Sequence, residues 1–536
     1  MMSRHNFDFI IVGAGAAGCV LANRLSADPA KRIALVEAGP SDRGWAARIK
    51  TMLPIGNVFL LPHDRYNWKY EFQGGAAIGH RRVPCPRGRL LGGSTSVNGS
   101  IYVRGHRLDY DEWAARGNEG WAYGDVLPAF KRMENFEAGA NAFHGAGGPL
   151  DVQRLAEPNP LASAFVDSAV AAGFTRNDDF NGSEQEGFGT FHLNHRNGER
   201  LSSSRAFLWP VLQRPNLRLY ADSLVEAIVI AGQRATGVVL QHRGERLQLH
   251  AGSEVIICAG AINTPQLLML SGLGAATELE AHGIRVRHEL PGVGCNLHDH
   301  PSVSISVLDQ SAQSYALHRK SALRAVFAPI RYLFSRRGML ASNAAEAGGF
   351  IRSSTDSDRP DLQFTFMVGM KVSARSLPRE HGFVCHVNVQ RPYSRGRIRL
   401  ASADPSARPI LEPGFLEDRR DIELLIKGLR TGRDILARAP IARAAGIELG
   451  PGEACQDDQA LEAFIRSNSG TTYHPVGTCR MGPSGDAMAV VDPRLRVVGL
   501  EGLRIADASV MPQIVSGNTA AASMMIGERA AEFILG

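Results

Sequence analysis

The chain has 536 residues, enough for two or three domains around a large buried core, and its 44% hydrophobic and 21% charged content excludes a disordered, collagenous or coiled-coil chain. Lys and Arg number 59 against 53 Asp and Glu, for a net +6, yet the arginines fall in singles and pairs such as Arg81-Arg82 and Arg336-Arg337, without the basic run or interleaved aromatics of a nucleic-acid binder. Seven cysteines, odd in number, widely spaced and lacking a C-x-x-C pair, fit free thiols of a reducing compartment better than a disulfide framework or a zinc knuckle.

Phe7 to Val12 is a compact β-type run, followed by Gly13-Ala14-Gly15-Ala16-Ala17-Gly18 and by Val20, Leu21 and Leu25 at helical spacing up to Asp28-Pro29. The apolar stretch from Phe9 to Ala22 is therefore a strand and a helix split by glycines, not a signal-peptide core. Ile33 to Val36 is a second apolar run ending in Glu37, which completes a βαβ unit. Gly13 permits the tight turn, Gly15 lets a pyrophosphate approach the backbone, and Gly18 lets the helix pack on the sheet. The unpaired N–H groups of the helix N-terminus favour the phosphate charge. Glu37 is placed to accept from an adenosine ribose and would repel a 2′-phosphate, so the unit points to a dinucleotide other than NADP.

Leu217 to Leu240 alternates apolar and polar residues around a turn at Ala231-Gly232 and predicts an antiparallel meander. Val255 to Gly260 predicts a buried strand, with a helix from Thr264 to Leu270 after it. His298-Asp299-His300 would set two imidazoles on one face of a strand, but no third ligand stands at sensible spacing and no metal site is expected. From about 303 to 470 the texture changes, with strand-like Phe383 to Val389 and Arg397 to Leu400 and a helical stretch from Asp421 to Ala437. Ala322 to Leu340 mixes Leu323, Val326, Phe327, Ile330, Leu333 and Phe334 with Arg324, Arg331, Arg336 and Arg337. Interrupted by Pro329, it reads as a core-packed helix, with a basic amphipathic face lying on a membrane as the alternative. Leu503 to Asp507 as a strand and Thr519 to Ile534 as a helix return to the first style. No stretch reaches the roughly 18 uninterrupted apolar residues of a spanning helix.

These elements predict an α/β fold, α+β overall: a Rossmann-like dinucleotide domain over 6–302, a second domain over 303–470 built on an antiparallel sheet with helices, and a return to the first domain over 471–536. Serine-hydrolase chemistry is disfavoured by the lack of a G-x-S-x-G elbow.

Four longer motifs go further. Gly88-Arg89-Leu90-Leu91-Gly92-Gly93-Ser94-Thr95-Ser96-Val97-Asn98, the segment from Gly260 to Gly274, Tyr473-His474-Pro475-Val476-Gly477-Thr478 and Asp507-Ala508-Ser509-Val510-Met511-Pro512 resemble, in this order and over nearly the whole chain, signatures of the glucose-methanol-choline (GMC) oxidoreductases. The resemblance implies a two-domain flavoprotein with noncontiguous FAD-binding segments that oxidises alcohols. It implies FAD contacts at Gly13, Gly15, Ala16, Gly18, Glu37 and Ala38, at Arg89, Gly92, Gly93, Ser94, Asn98, Gly99, Ser100 and Ile101, and at Val225, Asp507, Ala508, Asn518 and Thr519. Relatives that bind FAD covalently carry His in the second of these segments; Val97 stands at the matching place, so noncovalent FAD is expected.

By the same resemblance His474 takes the hydroxyl proton while hydride passes from the alcohol carbon to flavin N5. Asn518 hydrogen-bonds the substrate oxygen, with a cap for the final helix as its structural alternative. Glu346, in Ser342 to Phe350, resembles a segment near the substrate site of choline dehydrogenases, where a carboxylate would hold a trimethylammonium; a salt-bridged surface Glu is the alternative. The expected substrate is a primary alcohol, with choline or a sorbose-type polyol as alternatives, and the expected electron acceptor is a quinone or O₂. Two rivals remain: an enzyme using NAD, and a noncatalytic flavoprotein or hydroxynitrile-lyase-like enzyme on the same scaffold. A cytoplasmic location is expected, with peripheral contact on the inner membrane as the variant.

Overall fold

A run of β-branched and aromatic residues at the N-terminus forms the strand Asn6–Val12, buried along its last four residues as a central parallel strand must be. The helix Ala16–Leu25 leads back to Ile33–Val36, which pairs parallel with it, Ile10 opposite Ala34. A Cβ on Gly18 would lie 1.9 Å from the Gly13 carbonyl oxygen, so only glycine lets the helix sit this close to the turn. The computed structural model describes residues 5–370 and 379–536.

The first sheet has the order Leu217–Tyr220, Ile33–Val36, Asn6–Val12, Glu245–Ile257, Arg234–His242, Ser223–Ala231, with Leu503–Ile505 also pairing with Glu245–Ile257. Ser223–Ala231 and Arg234–His242 form the expected hairpin, but Leu217–Tyr220 does not belong to a meander, because it pairs parallel with Ile33–Val36. Alternation cannot separate the two arrangements, and the chain changes partner at Asp222, whose φ is +52°. Glu245–Ile257 is antiparallel to its hairpin neighbour in its first half and parallel to Asn6–Val12 and Leu503–Ile505 in its second. The carboxyl ends of the parallel strands thus gather at one edge, where open α/β sheets bind ligands.

The second sheet is antiparallel, in the order Ala445–Gly450, Pro301–Asp309, Gly382–Val389, Leu362–Met367, Ala345–Ile351, Gly187–Thr190. Side-chain alternation divides it. Ile305, Phe364 and Val387 face the helix Arg419–Leu436, where Gly428 and Gly432 allow close approach, since a Cβ at either would lie 2.2 Å from Val387 or 2.7 Å from Ile305. Ser302, Gln363, Thr365 and His386 face a cavity. Gly187–Thr190, from within 6–302, completes this sheet, and Ile410–Glu412 pairs with Tyr70–Gln73, so each expected domain lends a strand to the other's surroundings.

The helix Ala322–Ser335 forms through Pro329, but the expectation that it packs in the core is overturned. Only Ala328 and Tyr332 along it are buried, while Leu323 and Phe334 are 76% and 89% exposed. Periodicity identifies an apolar face without saying what that face meets. Among the described residues no helix is long and apolar enough to cross a membrane.

Candidate active site

Between the first sheet and the polar face of the second lies a cavity of about 1280 Å³, larger than the roughly 300–1,000 Å³ of ordinary small-molecule sites. Its walls bring together the N-terminal glycine turn, Glu37 and Ala38, the segment from Gly93 to Ile101, Val225, His474 and the start of the final helix.

The two glycine turns touch. A Cβ on Gly93 would lie 2.9 Å from Gly15 Cα, and Gly92 donates its N–H to the Ala14 carbonyl at 2.7 Å. Gly15, Ala16, Gly93 and Ser94 present small surfaces to the cavity, whereas Gly18 and Gly92 lie behind the lining and shape the turns. Glu37, at the end of its strand, accepts from Ala14 N at 3.0 Å and Gly39 N at 2.8 Å. Burial pushes its carboxyl up to about 7 against those two donors and the Arg89 charge. Ala38, Arg89, Val225, Asp507, Ala508, Asn518 and Thr519 line the same space. The Asp507 carboxylate also accepts from Gly260 N, Thr264 Oγ1 and Ser509 N at 2.9, 2.6 and 2.8 Å, so it ties its own segment to the start of the helix Gly260–Leu270.

Asn98, Gly99, Ser100 and Ile101 line the cavity through a strained turn: Ser100 has φ +59° and donates its N–H to Asn98 Oδ1. Arg200, 1% exposed, holds it there. One guanidinium nitrogen donates to the Asn98 carbonyl, to Asn98 Oδ1 and to Ser100 Oγ, the other to the Pro54 carbonyl. Nothing in sequence pointed to Arg200, which lies about a hundred residues from the segment it braces.

His474 follows Tyr473, which has φ +66°, and its backbone N–H donates to Asp299 Oδ1 at 2.9 Å. Its Nδ1 lies 3.0 Å from His300 Nδ1 and 2.9 Å from Thr472 Oγ1, and its Nε2 lies 3.2 Å from Asn518 Nδ2. The partners fix the tautomers. His300 Nε2 stands 3.2 Å from the Val515 carbonyl, which only accepts, so that nitrogen carries the hydrogen and His300 Nδ1 is an acceptor. His474 Nδ1 therefore donates, and its Nε2 presents a lone pair beside the Asn518 amide. Burial, then the His300 ring and the Arg87 charge, hold the His474 imidazole well below its ordinary value, so it stays unprotonated at neutral pH. Burial lowers His300 to about 4.

Asn518 precedes the helix Thr519–Leu535 but makes no side-chain capping bond; its amide is turned to His474, and among the described residues its Oδ1 has no partner. Asp299 and His300 thus hold His474, a role that the H-D-H spacing did not disclose. Among the described residues no three His, Cys, Asp or Glu side chains group to hold a metal ion.

Glu346 is placed elsewhere. Its neighbour Ala345 lines the cavity, while Glu346 is turned away, 1% exposed, accepting from Asn159 N, Tyr315 Oη and Ser342 Oγ. It is neither on the cavity wall nor on the surface. The carboxylates that do line the cavity among the described residues are Glu37, Asp64, Glu71 and Asp507, none of them from the second sheet.

A long cavity, two touching glycine turns, a buried carboxylate at the end of the second strand and, among the described residues, an unpartnered amide oxygen beside an imidazole lone pair fit FAD. Family models described as GMC oxidoreductase match residues 7–302 and 392–527. An alcohol dehydrogenase (acceptor) of Pseudomonas putida is 42% identical over 533 residues, covering 99% of this chain and 96% of that one. The mitochondrial choline dehydrogenase of Homo sapiens is 41% identical over 539 residues, covering 100% of this chain and 90% of that one. A formate oxidase structure from Aspergillus oryzae, solved to study FAD modification, superposes with a TM-score of 0.90 at 25% identity, covering 100% of this chain and 99% of that one. The chain belongs to the GMC oxidoreductase family and is an FAD-dependent oxidoreductase acting on CH–OH donors.

Proposed function

We propose that the chain oxidises an uncharged primary alcohol to its aldehyde, with noncovalent FAD, His474 as general base, and a quinone or similar acceptor taking the electrons. The observation that carries this reading is the lone pair of His474 Nε2 on the cavity wall, met in the protein by the Asn518 Nδ2 amide alone among the described residues. FAD, when bound, supplies the hydride acceptor. The Asn518 Nδ2 amide donates to the substrate oxygen and orients the hydroxyl toward His474 Nε2, which takes its proton as the carbon–hydrogen bond breaks. Because the imidazole is held unprotonated, it is ready for the proton at neutral pH.

Ser302, Gln363, Thr365 and His386 line the cavity from the second sheet. They offer hydrogen-bonding groups without a carboxylate, which favours a neutral alcohol over a trimethylammonium substrate. The Pseudomonas putida relative, named as an alcohol dehydrogenase with an acceptor, supports the same reading. A quinone acceptor is dissolved in lipid, so this choice brings peripheral contact with a membrane into the proposal.

The test is the visible spectrum of the purified protein during anaerobic addition of an aliphatic primary alcohol, a benzylic alcohol, a polyol and choline. Bleaching of the flavin band by the aliphatic or benzylic alcohol is expected. Bleaching by choline alone would overturn the neutral-alcohol reading in favour of choline. A band untouched by all four would favour lyase or noncatalytic use of the site. Acid precipitation is expected to release the flavin into the supernatant; flavin retained in the pellet would refute noncovalent binding.

A further inference from the structure

The alcohol-oxidising site leaves the exposed face of the helix Ala322–Ser335 without a use. At 100° per residue the buried Ala328 and Tyr332 define the inward side of this helix. Leu323, Val326, Phe327, Ile330, Leu333 and Phe334 fall in an arc of about 120° on the opposite side. They are 76%, 67%, 56%, 51%, 67% and 89% exposed. Scattered exposed apolar residues are ordinary; six on one face of one helix form a patch that needs a partner.

The charge around the patch selects the partner. Residues 319–340 contain no Asp or Glu. Arg319, Arg324 and Arg337 are exposed, and among the described residues Arg324 donates to the Ala312 and Gln313 carbonyls and has no acidic partner. Arg331 and Arg336 pair with Glu157 and Glu199 of neighbouring segments. On the helix wheel Arg324 and Arg331 flank the apolar arc on one side. A convex apolar stripe beside guanidinium groups is the pattern of a helix lying in a lipid interface, its apolar side chains among acyl chains and its arginines at the phosphates. Two copies meeting through this face would bring the same arginines together, which disfavours self-association.

The helix also adjoins the cavity: Tyr315, Ala316 and Leu317 before it and Met339 after it belong to the cavity wall, and Leu317 is 50% exposed, so the wall reaches the surface beside this helix. We propose that the face formed by Leu323, Val326, Phe327, Ile330, Leu333 and Phe334 docks on an anionic lipid bilayer, setting the cavity entrance against the membrane so that an apolar substrate or acceptor passes between lipid and site without crossing water. The docking goes beyond the oxidation chemistry and holds whichever alcohol the site takes.

The test is co-sedimentation of the FAD-loaded protein with phosphatidylcholine vesicles and with vesicles containing phosphatidylglycerol. Sedimentation with the anionic vesicles, weakened by added salt, is expected. The double variant Phe327→Glu/Phe334→Glu is expected to lower the partition coefficient at least about tenfold while keeping its flavin and its activity with a water-soluble dye. The milder pair Leu323→Gln/Ile330→Gln shows the same direction should the first be poorly made. Wild-type protein left in the supernatant with anionic vesicles would overturn the proposal, as would undiminished sedimentation of both double variants. A wild-type dimer in solution that becomes monomeric in those variants, without vesicle binding, would assign the face to a second copy and overturn it as well.

Discussion

The pair His300–His474 makes a quantitative test of how His474, the proposed base, keeps its lone pair on Nε2. Replacing His300 with Phe removes the acceptor 3.0 Å from His474 Nδ1 and leaves Thr472 Oγ1, at 2.9 Å, to receive that hydrogen alone. A buried hydrogen bond nets about 1 kcal/mol, and 1.4 kcal/mol is tenfold in a population or a rate. His300→Phe should therefore slow the limiting rate of flavin reduction about fivefold to tenfold. Adding Thr472→Val removes the second acceptor, so the hydrogen shifts toward Nε2 and the rate should fall about thirty- to a hundredfold.

The assay is anaerobic stopped-flow bleaching of the flavin at saturating alcohol, with flavin occupancy measured on the same preparations. Unchanged reduction in the double variant would refute the tautomer argument. A single variant as slow as His474→Ala would refute it in the other direction, by making His300 itself the proton acceptor.

Because His474 is held below its ordinary value, the limiting reduction rate should stay level from pH 8 down to about 6.5 and fall only in more acidic solution, where the base becomes protonated; a midpoint at or above 6.5 contradicts this. Arg200→Lys keeps a charge but cannot span Asn98, Ser100 and Pro54 at once, so FAD should dissociate at least about tenfold more readily, seen as the rise of free-flavin fluorescence on dilution. Retention equal to wild type would remove the bracing role. Glu346→Gln offers one acceptor to three donors at about 1–3 kcal/mol, so the melting temperature should drop by about 1 °C per kcal/mol with alcohol turnover nearly unchanged. Loss of turnover at an unchanged melting temperature would instead put Glu346 against the substrate.

What could be read in advance was local. The strand, glycine turn and helix at Asn6–Leu25 are written in consecutive residues, so their type and extent follow from spacing alone. His474 stood out through its motif, but its holder His300 lies 174 residues away, and a polar pair formed across such a distance leaves no periodicity to find. Arg200 is hidden for the same reason. Glu346 illustrates a different limit: which face of a strand a residue takes depends on register, and the irregularity between Ala345 and Ala347 decides it here. The helix Ala322–Ser335 shows a third, since amphipathic spacing is the same for a helix facing a core and one facing outward.

The last elements of the chain complete the first ones. Leu503–Ile505 pairs with Glu245–Ile257, Asp507 accepts the N–H of Gly260 at the start of the helix Gly260–Leu270, and Gly527 of the final helix brings its backbone against Ala17, where a Cβ would lie 2.8 Å from the Ala17 carbonyl oxygen. During synthesis the N-terminal glycine turn therefore emerges long before the surface that covers its helix. The early segment has to wait, partly unpaired and with apolar surface uncovered, until the helix ending at Leu535 leaves the ribosome. The cavity wall at Asn518 and Thr519 is therefore completed only once this helix has folded back onto the first one.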